Sequence, residues 1–207
     1  MKKGTKPVLG LVGGIGSGKS LAANLLAQSG GKVVSGDRLG HEALRQAEIR
    51  DRIIARFGKG ILNQTKEIDR RALAKVVFAE SEQRKALEAI VFPWIEERAR
   101  QEIEVARRDD AVRFIVLDAA VMLEADWHKV CDHLIFVDAD RKTRLQRLAQ
   151  ERGWTAKEVE AREQAQLPLD EKRKWTNFEI DNSKSPEHVE RQLAQLLQRL
   201  GLTNQSQ

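Results

Sequence analysis

Residues Gly13-Gly14-Ile15-Gly16-Ser17-Gly18-Lys19-Ser20 spell G-x-x-x-x-G-K-S, followed directly by Leu21. A loop of this composition wraps the phosphates of a nucleoside triphosphate. Its glycines let the backbone turn tightly and aim N–H groups inward as an anion nest. Lys19 is placed to reach the β- and γ-phosphates, and the Ser20 hydroxyl is a ligand for Mg²⁺. Both flanks suit the motif. Pro7-Val8-Leu9-Gly10-Leu11-Val12 is a short apolar run fit for a buried strand, and Leu21 to Ala27 has helical spacing. The phosphates would therefore also meet a helix N-terminus. The loop identifies the donor side of a reaction and leaves the acceptor open.

The chain has 207 residues, enough for one core with inserts. Charged residues are 32% and hydrophobic residues 41%, and no apolar run approaches the roughly 20 residues of a membrane span. The basic N-terminus lacks the continuous apolar segment of a secretion signal. The single Cys131 can form no internal disulfide, so a cytoplasmic, membrane-free protein is expected. The net charge is +5 and the pI near 9.4. With few aromatics and no tyrosine, the basic balance points to a phosphorylated small ligand rather than nucleic acid.

Five apolar runs predict strands at Val8–Val12, Lys32–Ser35, Phe114–Asp118, Leu134–Asp138 and Phe178–Asp181. Helical patterns separate most of them, which predicts a doubly covered parallel α/β sheet. Ligands of such sheets sit at the carboxyl ends of strands, where Asp37, Asp118 and Asp138 fall. Two stretches exceed a simple crossover. The first holds helical segments around Leu39–Phe57, Arg70–Ala79 and Glu82–Arg108, the last expected to kink or split at Pro93. The second, Arg141–Trp175, has ten Lys or Arg against six Asp or Glu, most of the net charge in a sixth of the length. It is expected to be a mobile basic flap over the phosphates. A final helix is marked by Ser185, Pro186, the stripe Val189, Leu193, Leu196, Leu197 and Leu200, and Gly201. Leu202–Gln207 is expected to fray.

The loop is followed in order by Val33-Val34-Ser35-Gly36-Asp37, Ile68 to Phe78, Leu87 to Pro93, Leu117 to Glu124, Gln166 to Arg173 and Ile180-Asp181-Asn182-Ser183. In this order and spacing the chain resembles the dephospho-CoA kinase family over residues 8 to about 200. The resemblance implies a P-loop kinase fold with a five-stranded parallel sheet. It implies a nucleotide-binding core (1–38, 111–140 and 176–207), a helical CoA-substrate domain (39–110) and a lid (141–175). The implied reaction phosphorylates the ribose 3′-hydroxyl of dephospho-CoA with ATP and Mg²⁺, the last step of coenzyme A biosynthesis. A monomer or weak homo-oligomer is expected.

The resemblance makes Asp37 the base for the 3′-hydroxyl; a solvated turn Asp or helix N-cap is the alternative. Asp118 resembles the carboxylate that positions Mg²⁺ through water and faces substrate, against a purely structural strand-end Asp. Among the flap arginines Arg144, Arg147, Arg152 and Arg162, the last three align with family lid arginines. Arg147 and Arg152 are expected on ATP and Arg162 on substrate, neutralising charge on the transferred group. Their alternative is ordinary pairing with nearby glutamates. Asn182 is expected near the adenine, with a turn Asn as the other reading. Phe92 is expected on the substrate side, as is His41, one turn beyond Asp37, for which an exposed helix histidine is the favoured alternative. The four histidines show no metal spacing. Trp94 and Trp175 are candidates for a substrate surface, while tryptophans in general are packing anchors.

Four positions depart from the family pattern: Phe92 stands where His is usual, Ser35 where Asp is usual, Ala120 for Pro and Asn177 for Asp. Phe92 cannot donate a hydrogen bond. A P-loop kinase for another small acceptor is therefore the alternative. A GTP switch is disfavoured, because Asp118 is followed by Ala119-Ala120-Val121 and no Asn-Lys-x-Asp occurs.

Overall fold

The computed structural model describes residues 6–77 and 80–203. The basic residues 1–5, Phe78 and Ala79, and the tail residues 204–207 lie outside them. The strands are β1 (Val8–Gly13), β2 (Gly31–Ser35), β3 (Phe114–Asp118), β4 (His133–Asp138) and β5 (Phe178–Asp181). The helices are α1 (Lys19–Gln28), α2 (Gly36–Ala43), α3 (Ala47–Phe57), α4 (Arg70–Val77), α5 (Ser81–Arg108), α6 (Arg141–Arg152), α7 (Ala156–Glu163), α8 (Leu169–Lys174) and α9 (Pro186–Arg199). All five strands are parallel, in the order β2-β3-β1-β4-β5. The sequence-based strands match these within a residue at each end.

Two compact units are present. One holds the sheet, built from residues up to Ser35 and from Glu102 onward; the other spans Gly36–Gln101. In the first unit alternation sorts the side chains. Leu9 and Leu11, Phe114 and Val116, and Ile135 and Val137 share one packed cluster with Ala22, Ala23 and Leu26 of α1 and Val189, Leu193, Leu196 and Leu197 of α9. Each such buried aliphatic contributes about 1.5–3 kcal/mol. Pro186 opens α9, and Gly201 closes it at φ 67°, with the Leu202 N–H donating to Leu197 O.

From β1 the chain crosses to β2 on one side of the sheet, whereas from the adjacent β3 it crosses to β4 on the other. The loop after β1 therefore opens at the point where the strand order reverses. Register places Leu11 beside Asp118, and Asp118 beside Ser35, at the same carboxyl edge.

In the second unit two expectations are corrected. Leu39–Phe57 is two helices, α2 and α3, separated by a turn in which Arg45 N–H bonds Glu42 O and Gln46 N–H bonds Ala43 O. Gln46 then takes an extended backbone (ψ 128°) that ends helical propagation. Pro93 does not split its helix: α5 runs unbroken through it. A proline removes one N–H from the ladder, but buried Val91, Ile95 and Ala99 form a stripe that holds the turns on either side.

Candidate active site

The loop between β1 and α1 is shaped by its glycines and by the residues around it. Gly16 (φ 76°) and Gly18 (φ 87°) are left-handed. A Cβ on Gly18 would stand 2.0 Å from Asn182 Nδ2, and one on Gly16 2.9 Å from Leu148. Ser17 N–H closes the turn on Gly14 O at 3.2 Å. Gly18 caps α1 without a side chain, so the first-turn donors meet no capping oxygen from it. Lys19 Nζ donates to Gly13 O and Gly14 O, each at 3.3 Å, which folds the ammonium back across the loop. Ser20 is exposed, and Ile15 and Leu21 are half-buried.

Asn182 lies beneath the loop instead of open to a base. It is 1% exposed, its Nδ2 donates to Ser17 O at 2.7 Å, and its own N–H donates to Asp138 O. Its carbonyl accepts from Arg147 Nη2 at 2.9 Å. Asn182 thus ties the loop, the end of β4 and α6 together, a support role that the sequence does not reveal. The other Arg147 nitrogen, Nη1, is buried with no hydrogen-bond partner among the described residues, 3.6 Å from where a Gly18 Cβ would be. A buried, unmatched donor beside a phosphate loop is suited to an anionic oxygen.

The first flap helix is rooted on the loop. Arg144 is 5% exposed and its Nη1 donates to Ile15 O at 3.2 Å and to Glu163 Oε1 at 2.5 Å. Arg141 reaches the other Glu163 oxygen at 3.3 Å. Arg144 therefore braces the loop through a charge pair with α7. Arg152 and Arg162 lie further out, with their guanidinium carbons 5.0 Å and 4.0 Å from the Trp154 ring centre.

A second buried cluster joins α8 to the segment after β3. Lys172, 2% exposed, directs Nζ to Glu124 Oε1 (2.9 Å), Gln166 Oε1 (2.9 Å) and Ala120 O (3.5 Å). Its three donors meet three acceptors. Glu124 Oε1 also accepts the Leu167 N–H at 2.9 Å. Sequence reasoning quoted both segments without assigning Glu124, Gln166 or Lys172 a task. Glu124 lies over 40 residues from Gln166 and Lys172, a spacing that carries no local signal.

The strand-end carboxylates differ. Asp138 is paired with Arg173 at 2.9 Å and is a structural partner. Asp118 ends β3 next to β1, half-buried. Among the described residues no group of three His, Cys, Asp or Glu could hold a metal. A P-loop magnesium needs none, since one hydroxyl, one carboxylate, phosphates and waters suffice, and exposed Ser20 and Asp118 supply that donor chemistry.

In the second unit, Asp37 is exposed in the first turn of α2, two residues past the end of β2. His41 follows one turn later. Partial burial lowers its pKa first, then the positive charge of Arg70; Asp37 opposes these and Arg45 reinforces them. His41 is thus biased toward the neutral form. Phe92 and Trp94 are half-buried on either side of Pro93 in α5.

The dephospho-CoA kinase (CoaE) family model matches residues 7–188. The chain belongs to the dephospho-CoA kinase family. Dephospho-CoA kinase of Geobacter sulfurreducens is 37% identical over 190 residues, covering 91% of this chain and 96% of the relative. That of Bacillus licheniformis is 38% identical over 195 residues, covering 92% and 94%. The crystal structure of TT1252 from Thermus thermophilus superposes with a TM-score of 0.80 at 32% identity, covering 95% of this chain and 98% of that one. Dephospho-CoA kinase from Campylobacter jejuni superposes at 0.69 with 23% identity, covering 94% and 97%. Shikimate kinase from Acinetobacter baumannii, at 0.52 and 16% identity, shares the fold.

Family departures can be placed on the structure. Asn177 Oδ1 accepts the Leu134 N–H at 3.0 Å, a bond that an aspartate carboxylate at this position would also accept. Ala120 presents its backbone carbonyl to Lys172, which a proline at this position would also do. Cys131 is half-buried and its thiol pKa is pushed to about 12, chiefly by burial and then by Asp132, so it is no nucleophile. Trp175 is 54% exposed, its ring tilted against His128 at 4.8 Å.

Proposed function

We propose that this chain transfers the γ-phosphoryl group of ATP to the ribose 3′-hydroxyl of dephospho-CoA, releasing CoA and ADP. The observation that carries the reading is the family match across residues 7–188 together with a correctly shaped phosphate loop. Residues 13–21 cradle the phosphates through backbone N–H groups, and Lys19 leaves its two carbonyls to follow the γ-phosphoryl group. The Ser20 hydroxyl and, through water, Asp118 would hold Mg²⁺, which supplies charge neutralisation on the phosphates when bound. Asp37 accepts the proton of the 3′-hydroxyl as its oxygen forms the new P–O bond. The bond from γ-phosphorus to the bridging oxygen breaks, and ADP carries away that electron pair. Arg147, with its unmatched Nη1, bonds the oxygens on which charge spreads. Arg152 and Arg162 add positive charge from the lid.

Residues 39–110, most of which fall in the second unit, would bind the CoA acceptor, with His41 neutral and Phe92 packing on apolar parts of it. The enzyme would work in the cytoplasm as a monomer or weak homo-oligomer; the one cysteine of the sequence, with no second to pair with inside the chain, fits that compartment. Among the described residues no helix is long and apolar enough to cross a membrane.

The test is ADP release with dephospho-CoA, adenosine and shikimate as acceptors, in wild type and Phe92→His. Turnover is expected with dephospho-CoA alone, and Phe92→His should change its KM less than about threefold. Turnover with another acceptor, or with dephospho-CoA only after Phe92→His, would favour the alternative of a different small-molecule kinase.

A further inference from the structure

Trp154 stands in the turn between α6 and α7 with a guanidinium over its ring from each helix, Arg162 at 4.0 Å and Arg152 at 5.0 Å. The turn is fixed on both sides. Gly153, left-handed at φ 66°, ends α6, with its N–H on Ala149 O and the Trp154 N–H on Leu148 O. Thr155 begins α7 with a full capping box: its hydroxyl accepts the Glu158 N–H, and the Glu158 carboxylate accepts the Thr155 N–H. The indole is thus presented by a backbone with little freedom. Arg162 is held a second time, through Nη1 to Glu158 O at 3.0 Å.

We propose that Trp154 is a positioning residue that orders Arg152 and Arg162 for the polyphosphate of the nucleotide. This rests on the reading that Arg152 meets ATP and that Arg162, from the substrate side, meets the transferred phosphoryl group. A guanidinium stacks through its face while its N–H groups lie in the plane, so a stacked arginine keeps its donor edge for phosphate oxygens. The ring also restricts rotamers that a free arginine would lose on binding. Tryptophan has the strongest ring for this purpose. The sequence reading of tryptophans as packing anchors holds for buried Trp127 but not here, since Trp154 is only half-buried and carries charge on its ring.

The experiment measures KM for ATP, kcat, and Kd for tripolyphosphate in Trp154→Ala, Trp154→Phe, Arg152→Met, Arg162→Met and the Trp154→Ala/Arg162→Met pair. Thermal unfolding is followed in parallel. Trp154→Ala is expected to weaken ATP and tripolyphosphate about tenfold, with kcat changed less than about threefold. Trp154→Phe should recover most of that loss. In the paired variant the tryptophan change should add less than about threefold to the effect of Arg162→Met, because the two act through one contact. A structural role would instead lower the unfolding midpoint and would not recover with phenylalanine by affinity alone. Wild-type affinity in both Trp154 variants, with weakened arginine variants, overturns the positioning role. Wild-type affinity in the arginine variants overturns the phosphate reading itself, and the proposal with it.

Discussion

Asp37→Asn is expected to lower turnover about a thousandfold, within the 10²–10⁴ range for a positioned general base, while ATP affinity changes less than about threefold. Asparagine has the same shape and can still accept a hydrogen bond from the 3′-hydroxyl, but it cannot take the proton. The effect should therefore fall on kcat and leave nucleotide binding alone, because the phosphate loop belongs to a different segment, residues 13–21. The exposed position of Asp37 means that no buried partner is stranded by the change, so the unfolding midpoint should hardly move. Single-turnover kinetics beside equilibrium ATP binding separate the two quantities. Retained turnover would remove Asp37 from the chemistry and return it to the bland reading of a residue in a first helical turn. Parallel loss of ATP binding would make it a nucleotide ligand instead.

Lys172→Met should destabilise the protein by about 3–5 kcal/mol, the range for removing one partner of a buried ion pair. The substitution leaves Glu124, whose side chain is 19% exposed, and Gln166 without their charged donor. Lys172→Met combined with Glu124→Leu should recover at least half of the loss, because no unpaired charge then stays behind. Denaturant unfolding of the three proteins checks this, and a loss under about 1 kcal/mol in the single variant would contradict it. The cluster has a functional side. Lys172 and Glu124 fasten α8 to the segment that follows Asp118, so surviving Lys172→Met protein should also bind Mg²⁺-ATP less tightly than wild type.

The three central strands β1, β3 and β4 were legible because strands buried on both faces demand near-continuous apolar runs, whereas the edge strands β2 and β5 carry only short ones. The phosphate loop was legible because its chemistry is local: left-handed Gly16 and Gly18 permit no side chain, and Lys19 and Ser20 follow at once. What was not legible is the set of supports. Asn182 contacts Ser17 from 165 positions away, and Arg144 contacts Ile15 from 129. No periodicity encodes such pairs. Asn182 has the right residue type for a ligand, yet its amide is already committed to the loop backbone. Pro93 leaves its helix unsplit for a related reason: the local rule against proline in a helix was outweighed by the burial of Val91, Ile95 and Ala99 around it. The break at Leu44–Gln46 lay within a sequence of good helix formers and had no glycine or proline to mark it.

The most direct test of the account is identification of the product formed from ATP and dephospho-CoA by phosphorus NMR and mass spectrometry. The account predicts one added phosphoryl group, as a new phosphomonoester coupled to the ribose 3′ proton, with one ADP formed per product. A phosphate at any other position, or ADP formed without a phosphorylated acceptor, would contradict it.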